Sequence, residues 1–378
     1  MDITHPLPLL GGISPARFMK RHWQKEPLLV RGAVPGLKPL LSRAELFALA
    51  ARDGVESRMV VRQGKKWELR QGPFARRALP PLAQPGWTLL VQGVDQHHAG
   101  LHALQQQFRF VPDARLDDLM VSYASDGGGV GPHFDSYDVF LLQAQGQRRW
   151  RIGRQDDLGL RPGMPLKILA RFQPQQEFVL EPGDMLYLPP QYAHDGIAEG
   201  ECQTYSIGFR APRRGELARE LLQRLADDAA DIAGERLYAD GNQAATDAPA
   251  AVPASLQRFA RDAVAAALKD ADALDRALGE YLTEPKADVW FQGADAPVRL
   301  RGVALDARTR MLHDGRHIFV NGESWRAGGR DAALMRKLAE QRTLHARDLA
   351  GASADAKELL LSWCEAGWAH ALEMEDTK

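Results

Sequence analysis

Short runs in which apolar and polar residues alternate fill the middle of the chain, from about residue 116 to residue 210. Turns rich in Gly or Pro separate these runs, such as Gly127-Gly128-Gly129 and Pro182-Gly183. Alternation with a period of two is typical of β-strands that bury one face. Many short strands in close succession predict a jelly-roll or cupin-like barrel, with strands at 119–124, 137–143, 148–152, 177–180, 185–188 and 204–209.

The apolar spacing becomes helical on both sides of this region. Two helices are predicted before it, starting after Ser14 and Ser42, because serine caps the free N–H groups of a first helical turn. Two more are predicted after it, at 216–231 and 256–282, where apolar residues recur at helical spacing. Residues 238–254 are poor in large apolar side chains and are predicted to be a linker. The later helices carry more apolar surface than one barrel face needs, which indicates a symmetric homodimer.

The pattern changes again after Pro285. Strands are predicted at 298–305 and 317–320, and the second ends at Asn321-Gly322, a strong hairpin signal. Helices are predicted at 331–341 and 354–366, a set that suggests a small winged-helix-like unit. The sequence thus predicts an α+β chain of three domains: a barrel with N-terminal helices at 1–212, a helical dimerisation region at 213–284 and a winged-helix-like domain at 285–378.

Charge and composition argue against several classes of protein. The 48 Lys and Arg residues balance the 49 Asp and Glu residues to a formal charge of -1, so we expect no direct nucleic-acid binding. The two cysteines are far apart in sequence and indicate neither a disulfide framework nor a zinc site. No apolar run approaches the ~20 residues of a membrane span, and the N-terminus lacks a signal-peptide pattern. We therefore expect a cytoplasmic protein without a membrane partner.

The stretch His133-Phe134-Asp135 carries the strongest chemical signal in the barrel region. Residues two apart on a strand point to the same face, so this imidazole and this carboxylate can bind one metal ion together. A third ligand must come from elsewhere, and His194, which follows a Pro-Gly-Asp turn, is the best candidate. A lone histidine on a strand is more often an ordinary core or surface residue. The combination instead predicts the two-histidine, one-carboxylate site of non-haem Fe(II) oxygenases, which leaves positions open for co-substrate and dioxygen.

A cation is predicted inside the barrel. If residues 147–153 form one strand, Arg148 shares its face with Trp150 and Ile152, and that face should point inward. A buried cation is unfavourable without an anion. The carboxylate of a co-substrate would supply this anion through two parallel hydrogen bonds, and an internal Asp or Glu is the alternative.

Hydroxyl groups near the predicted metal site could bind the co-substrate. Tyr137 has the parity of His133 and Asp135, although an aromatic residue at the start of a strand is as often part of the core. Ser122, on the strand before the glycine turn, could reach a carboxylate. Parity alone does not decide whether Tyr205 or Ser206 points inward.

Four stretches of the barrel region resemble the bacterial ribosomal oxygenases of the JmjC class. They are Gly-Pro-His-Phe-Asp-Ser-Tyr-Asp-Val-Phe from residue 131, Gly-Gln-Arg-Arg-Trp-Arg-Ile-Gly from 146, Gly-Asp-Met-Leu-Tyr-Leu-Pro-Pro-Gln-Tyr-Ala-His-Asp-Gly from 183 and Tyr-Ser-Ile-Gly-Phe-Arg-Ala-Pro from 205. The N-terminal stretch from Phe18 to Leu28 is similar to the family too. The resemblance therefore covers the barrel well and the rest of the chain by domain order.

This resemblance implies a JmjC-type double-stranded β-helix that uses Fe(II), 2-oxoglutarate and dioxygen. It implies His133, Asp135 and His194 as metal ligands, Arg148 on the distal carboxylate of 2-oxoglutarate and Ser122 as a supporting hydroxyl. It also implies a helical dimerisation region, a winged-helix domain and 3-hydroxylation of one arginine in ribosomal protein uL16. Two alternatives stay open: a JmjC demethylase or small-molecule cupin oxygenase on the same barrel, and a nucleic-acid-binding regulator that acts through the winged helix.

Overall fold

The chain forms two compact units, Met1–Ala211 and Pro212–Lys378. The computed structural model describes residues 2–295, 300–326 and 328–372. The boundary between these units lies beside the first predicted domain boundary. The second boundary, at residue 284, and with it the division into three domains, stays a prediction.

The described part of the first unit contains a nine-stranded antiparallel sheet and three α-helices. The strands are β1 (Leu28–Val30), β2 (Ser57–Gln63), β3 (Lys66–Gln71), β4 (Trp87–Val91), β5 (Leu116–Ala124), β6 (Asp138–Gly153), β7 (Gln176–Leu180), β8 (Met185–Leu188) and β9 (Ala193–Phe209). The helices are α1 (Pro15–Arg21), α2 (Arg43–Ala50) and α3 (Ala99–Gln106). The strand order is β1-β8-β6-β9-β5-β4-β2-β3, with β7 paired to β6. The sheet therefore brings β6, β9 and β5 side by side, and these strands carry Ser122, Arg148 and His194.

Strand β6 joins two strands that the sequence predicts separately, at 137–143 and 148–152. Its register with β9 shifts between Gln143 and Gln147, where β-bulges interrupt the ladder. Gly146 permits the close approach, because a Cβ atom on it would lie 2.0 Å from the carbonyl oxygen of Glu201. The prediction of two strands is therefore wrong, and residues on either side of the bulges do not keep a common parity.

The two faces of the sheet contribute to different cores. One face, which we call the inner face, contributes to the cluster Val139, Leu141, Trp150, Ile152, Leu180, Leu186, Leu188 and Tyr192. The other, which we call the outer face, packs against the N-terminal helices. There the ring centroid of Phe18 lies 5.4 Å from that of Phe140 and 5.0 Å from that of Tyr187. The inner face is left to hold the polar side chains of the site.

The second unit combines a group of helices with two small antiparallel sheets. Helices α4 (Arg214–Ala233), α5 (Ala254–Lys269) and α6 (Ala271–Thr283) come first. The sheets contain β10 (Val303–Leu305), β14 (Thr343–Leu344) and β15 (Ala369–Ala371), and β11 (Met311–His313), β12 (His317–Val320) and β13 (Glu323–Arg326). The remaining helices are α7 (Gly329–Gln341), α8 (Ala346–Leu349) and α9 (Ala354–Glu365). The predicted strand at 298–305 begins outside the described residues, and its end forms β10.

No helix in the described ranges is long and apolar enough to cross a membrane.

Candidate active site

Three side chains with metal-binding atoms meet at one end of β6 and β9, and we call them the metal triad: His133, Asp135 and His194. Their potential ligand atoms all lie within 4.8 Å of one another. The Oδ2 atom of Asp135 lies 3.9 Å from Nε2 of His133 and 3.6 Å from Nε2 of His194. A single ion placed among these atoms would have two nitrogen ligands and one oxygen ligand.

The backbone explains why two histidines 61 positions apart in sequence meet. His133 and His194 form an isolated antiparallel bridge. The distance from the His133 nitrogen to the His194 carbonyl oxygen is 2.9 Å and the reverse distance is 2.8 Å, and the ring centroids lie 4.2 Å apart. Residues 134–137, just before β6, do not form a strand. Their backbone hydrogen bonds go to loops, as where the Gln191 N–H donates to the Asp135 carbonyl at 2.7 Å. The placement of Asp135 on a strand with His133 is therefore wrong, although both side chains reach the same site.

Hydrogen bonds hold both imidazoles in the orientation that metal binding needs. Nδ1 of His133 lies 2.9 Å from the Gly131 carbonyl, and Nδ1 of His194 lies 2.9 Å from the Tyr192 carbonyl. A carbonyl only accepts, so each Nδ1 donates its proton and each Nε2 keeps a lone pair. Burial, followed by the neighbouring His133, lowers the pKa of His194 to about 4. His194 is therefore neutral at physiological pH, which is the form that binds a metal.

Arg148 places a cation on the inner face, as the sequence predicts. The residue is 5% exposed, and its Nη1 donates to the Ser122 hydroxyl at 3.2 Å. Its Nε and Nη2 atoms are buried and have no hydrogen-bond partner among the described residues. No carboxylate of those residues forms an ion pair with it, so the alternative of an internal Asp or Glu partner is not observed. Two buried N–H donor groups without a partner fit the carboxylate of a bound molecule.

The inner face supplies further polar groups beside Arg148. Ser122 on β5 pairs across the sheet with Thr204 on β9, and its hydroxyl also donates to the Thr204 carbonyl at 3.4 Å. The Thr204 hydroxyl donates to Oε1 of Gln143 at 2.9 Å. All three residues are buried. Sequence reasoning missed Thr204 and Gln143, because their place beside Arg148 depends on the register of β5, β6 and β9.

The structure resolves the parity question on β9. Tyr205 belongs to the outer core, where its hydroxyl accepts the Leu40 N–H at 2.9 Å. Ser206, its neighbour on the strand, therefore points to the inner face. Tyr137 is half-buried, and burial, followed by the carboxylate of Asp135, raises the pKa of its hydroxyl. Tyr137 thus presents a protonated hydroxyl close to the metal triad.

Two family models match this chain, the JmjC domain over residues 103–217 and the ROXA-like winged helix over residues 266–370. The ribosomal protein uL16 3-hydroxylase of Escherichia coli K12 is 34% identical over 327 residues, which cover 81% of this chain and 84% of that protein. The chain belongs to the JmjC-type ribosomal oxygenases. This membership confirms the predicted cupin-like barrel and winged-helix domain.

Other members of the family agree with this assignment. The Haemophilus influenzae probable ribosomal oxygenase is 36% identical over 212 residues, covering 54% of this chain and 52% of that protein. The X-ray structure of E. coli YcfD matches with a TM-score of 0.83 at 30% identity, over 94% of this chain and 97% of that one. A structure of YcfD with cobalt and 2-oxoglutarate matches with a TM-score of 0.79 at 30% identity, over 94% and 97% of the two chains.

Proposed function

We propose that this ribosomal oxygenase is an Fe(II)- and 2-oxoglutarate-dependent protein hydroxylase that 3-hydroxylates an arginine of ribosomal protein uL16. The observation that carries this proposal is a metal triad in the same barrel as a buried arginine, Arg148, whose Nε and Nη2 atoms have no partner among the described residues. The first would bind a divalent metal, and the second would bind a carboxylate. A relative named for uL16 3-hydroxylation and a solved relative that holds cobalt and 2-oxoglutarate support the same assignment.

Each of these residues has a defined task in this proposal. His133, Asp135 and His194 would hold the iron, and a set of three protein ligands would leave coordination positions for 2-oxoglutarate and dioxygen. Arg148 and Ser122 bind the distal carboxylate of 2-oxoglutarate and so fix its orientation. The bound iron supplies oxygen activation coupled to oxidative decarboxylation of 2-oxoglutarate. The buried apolar residues around these groups exclude bulk water, which strengthens the interaction of Arg148 with the carboxylate.

Negative charge near Tyr137 favours a cationic target side chain. The carboxylates of Asp135, Asp118 and Asp117 all act on the Tyr137 hydroxyl and, after burial, raise its pKa. Arginine is always protonated and carries five N–H donors, so carboxylates near the site would favour it over a neutral target side chain.

The test uses purified protein with Fe(II), 2-oxoglutarate and unmodified uL16. We expect uL16 to gain one oxygen atom on one arginine, with one succinate formed for each hydroxylation. Loss of a methyl group from a methylated protein would instead favour the demethylase alternative. Turnover of 2-oxoglutarate that no ribosomal protein stimulates would favour a small-molecule substrate. We place this reaction in the cytoplasm, where ribosomal proteins are made.

We also propose that the protein is a homodimer formed through α4 and α5. Apolar side chains on these helices stay exposed, namely Leu222 at 52%, Leu256 at 37%, Val264 at 61% and Leu268 at 42%. On α5, Val264 and Leu268 are four residues apart and therefore lie on one side of the helix. A second copy of the chain would cover this apolar surface by an isologous contact.

Replacing both Val264 and Leu268 with glutamate is expected to give a monomer. The two carboxylates would be buried by the partner without a cation to pair with. Burying them is unfavourable, so association would be lost. Light scattering coupled to size-exclusion chromatography measures the mass, with Ile3→Glu as the control because Ile3 is similarly exposed, at 53%, outside these helices. A dimer that survives the double substitution would place the interface elsewhere. If the unsubstituted protein is a monomer, the proposal of a homodimer is wrong.

A further inference from the structure

Trp150 has a buried indole ring next to the metal triad and Arg148, and its N–H group is not used by either. The residue is 5% exposed, and its indole Nε1 has no hydrogen-bond partner among the described residues. Its ring centroid lies 5.8 Å from that of His194 and 5.8 Å from Cζ of Arg148. The indole is thus adjacent both to a metal-binding imidazole and to the buried cation.

The fold holds this ring in place from both sides. Trp150 pairs with Phe178 of β7 on one side and with Gly196 of β9 on the other. A Cβ atom on Gly196 would lie 2.7 Å from two carbons of the indole ring, so only glycine leaves room for the ring there. A tightly packed ring has little freedom to turn its N–H toward another acceptor.

Three buried N–H donor groups in this part of the barrel therefore lack a partner among the described residues: Nε and Nη2 of Arg148 and Nε1 of Trp150. Leaving a buried donor unpaired is unfavourable, so a bound molecule that accepts from all three would be favoured here. A carboxylate has two oxygens with about four acceptor positions, which is enough for all three donors.

We propose that the indole N–H of Trp150 donates to the carboxylate of 2-oxoglutarate that Arg148 binds. This proposal rests on the proposed function, since 2-oxoglutarate must be the co-substrate. Trp150 is then a binding residue for this carboxylate, in addition to Arg148 and Ser122. The same contact would hold succinate after the reaction, because succinate keeps that carboxylate.

Trp150→Phe tests the proposal, because it keeps an aromatic ring and removes the N–H. The Mn(II)-loaded protein under anaerobic conditions is titrated with 2-oxoglutarate by calorimetry. We expect binding to weaken about tenfold, as for loss of one hydrogen bond to a charged group. In the Fe(II) enzyme the KM for 2-oxoglutarate should rise by a similar factor, with kcat changed much less.

Trp363→Phe is the matched control. Trp363 lies in the second unit, is 2% exposed and also has an indole N–H without a partner among the described residues. The control should bind 2-oxoglutarate as the unsubstituted protein does. Equal affinity for Trp150→Phe and the unsubstituted protein would overturn the inference and leave the proposed function standing. Failure of the unsubstituted, metal-loaded protein to bind 2-oxoglutarate would instead refute the proposed function.

A second measurement covers the case in which Trp150→Phe does not fold. The unsubstituted protein, loaded with Zn(II) and labelled with nitrogen-15 at its 8 tryptophans, gives indole N–H signals that report hydrogen bonding directly. Saturation with 2-oxoglutarate should move one indole proton downfield, as expected for a new bond to a carboxylate. If no indole signal moves downfield on saturation, the inference is wrong.

Discussion

His133→Ala and His194→Ala are each expected to abolish 2-oxoglutarate turnover while the barrel stays folded. Either change leaves two ligands for the metal, and the lost imidazole cannot be replaced by another described side chain, since the metal triad is the only such group in the described ranges. Removing a residue that only hydrogen-bonds to a metal ligand already lowers metal affinity about 10- to 100-fold. Removing a ligand itself should lower metal affinity further. Succinate formation and calorimetric binding of Co(II) measure the two effects.

The control for these variants is His5→Ala, because His5 is exposed and far from the metal triad in sequence. Circular dichroism and thermal unfolding show whether each variant keeps its fold. A folded His194→Ala protein with normal succinate formation would mean that the metal triad is not the metal site.

Arg148→Ala is expected to raise the KM for 2-oxoglutarate about 10- to 100-fold. Hydrogen bonds to a charged group contribute roughly 1.5–3 kcal/mol, and each ~1.4 kcal/mol corresponds to a factor of ten. The fold should tolerate the change, because removing Arg148 also removes a buried charge that lacks an anion among the described residues. Calorimetric titration of the Mn(II)-loaded variant with 2-oxoglutarate checks the affinity without turnover.

Arg149→Ala is a closely matched control for Arg148→Ala. Arg149 is the next residue on β6 and carries the same charge. Unlike Arg148, it forms ion pairs, with Glu177 and Glu199. The two variants therefore lose the same charge at adjacent positions, but the two side chains lie on opposite faces of β6. An unchanged KM in Arg148→Ala, or an equal rise in both variants, would contradict the assignment of Arg148.

The inward position of Arg148 could be predicted from the sequence. Trp150 and Ile152 share its parity within one short run, and the structure buries all three side chains. Counting parity from Val139 to Arg148 would have failed, because the bulges between Gln143 and Gln147 shift the register. Period-two reasoning holds only as far as the ladder stays regular.

Other features depend on contacts between distant parts of the chain. The outward direction of Tyr205 is fixed by its bond to Leu40, 165 positions away, and no local pattern predicts that partner. That the N–H of Trp150 has no acceptor among the described residues could not be predicted either, since a tryptophan on an inward face looks the same in sequence as an ordinary core residue. The motifs therefore predict that the triad residues meet and that Arg148 is buried, as the structure has them, whereas the positions of Thr204 and Gln143 depend on the register of β5, β6 and β9. The binding roles of these residues stay predictions.

The mass of ribosomal protein uL16 from cells with and without this protein tests the central claim most directly. Intact-mass analysis detects one added oxygen, and fragmentation assigns it to a residue. We predict that uL16 carries one hydroxylated arginine in cells with the protein, and that this oxygen is absent in cells without it or with only His194→Ala. An identical uL16 mass in all three strains would contradict the account.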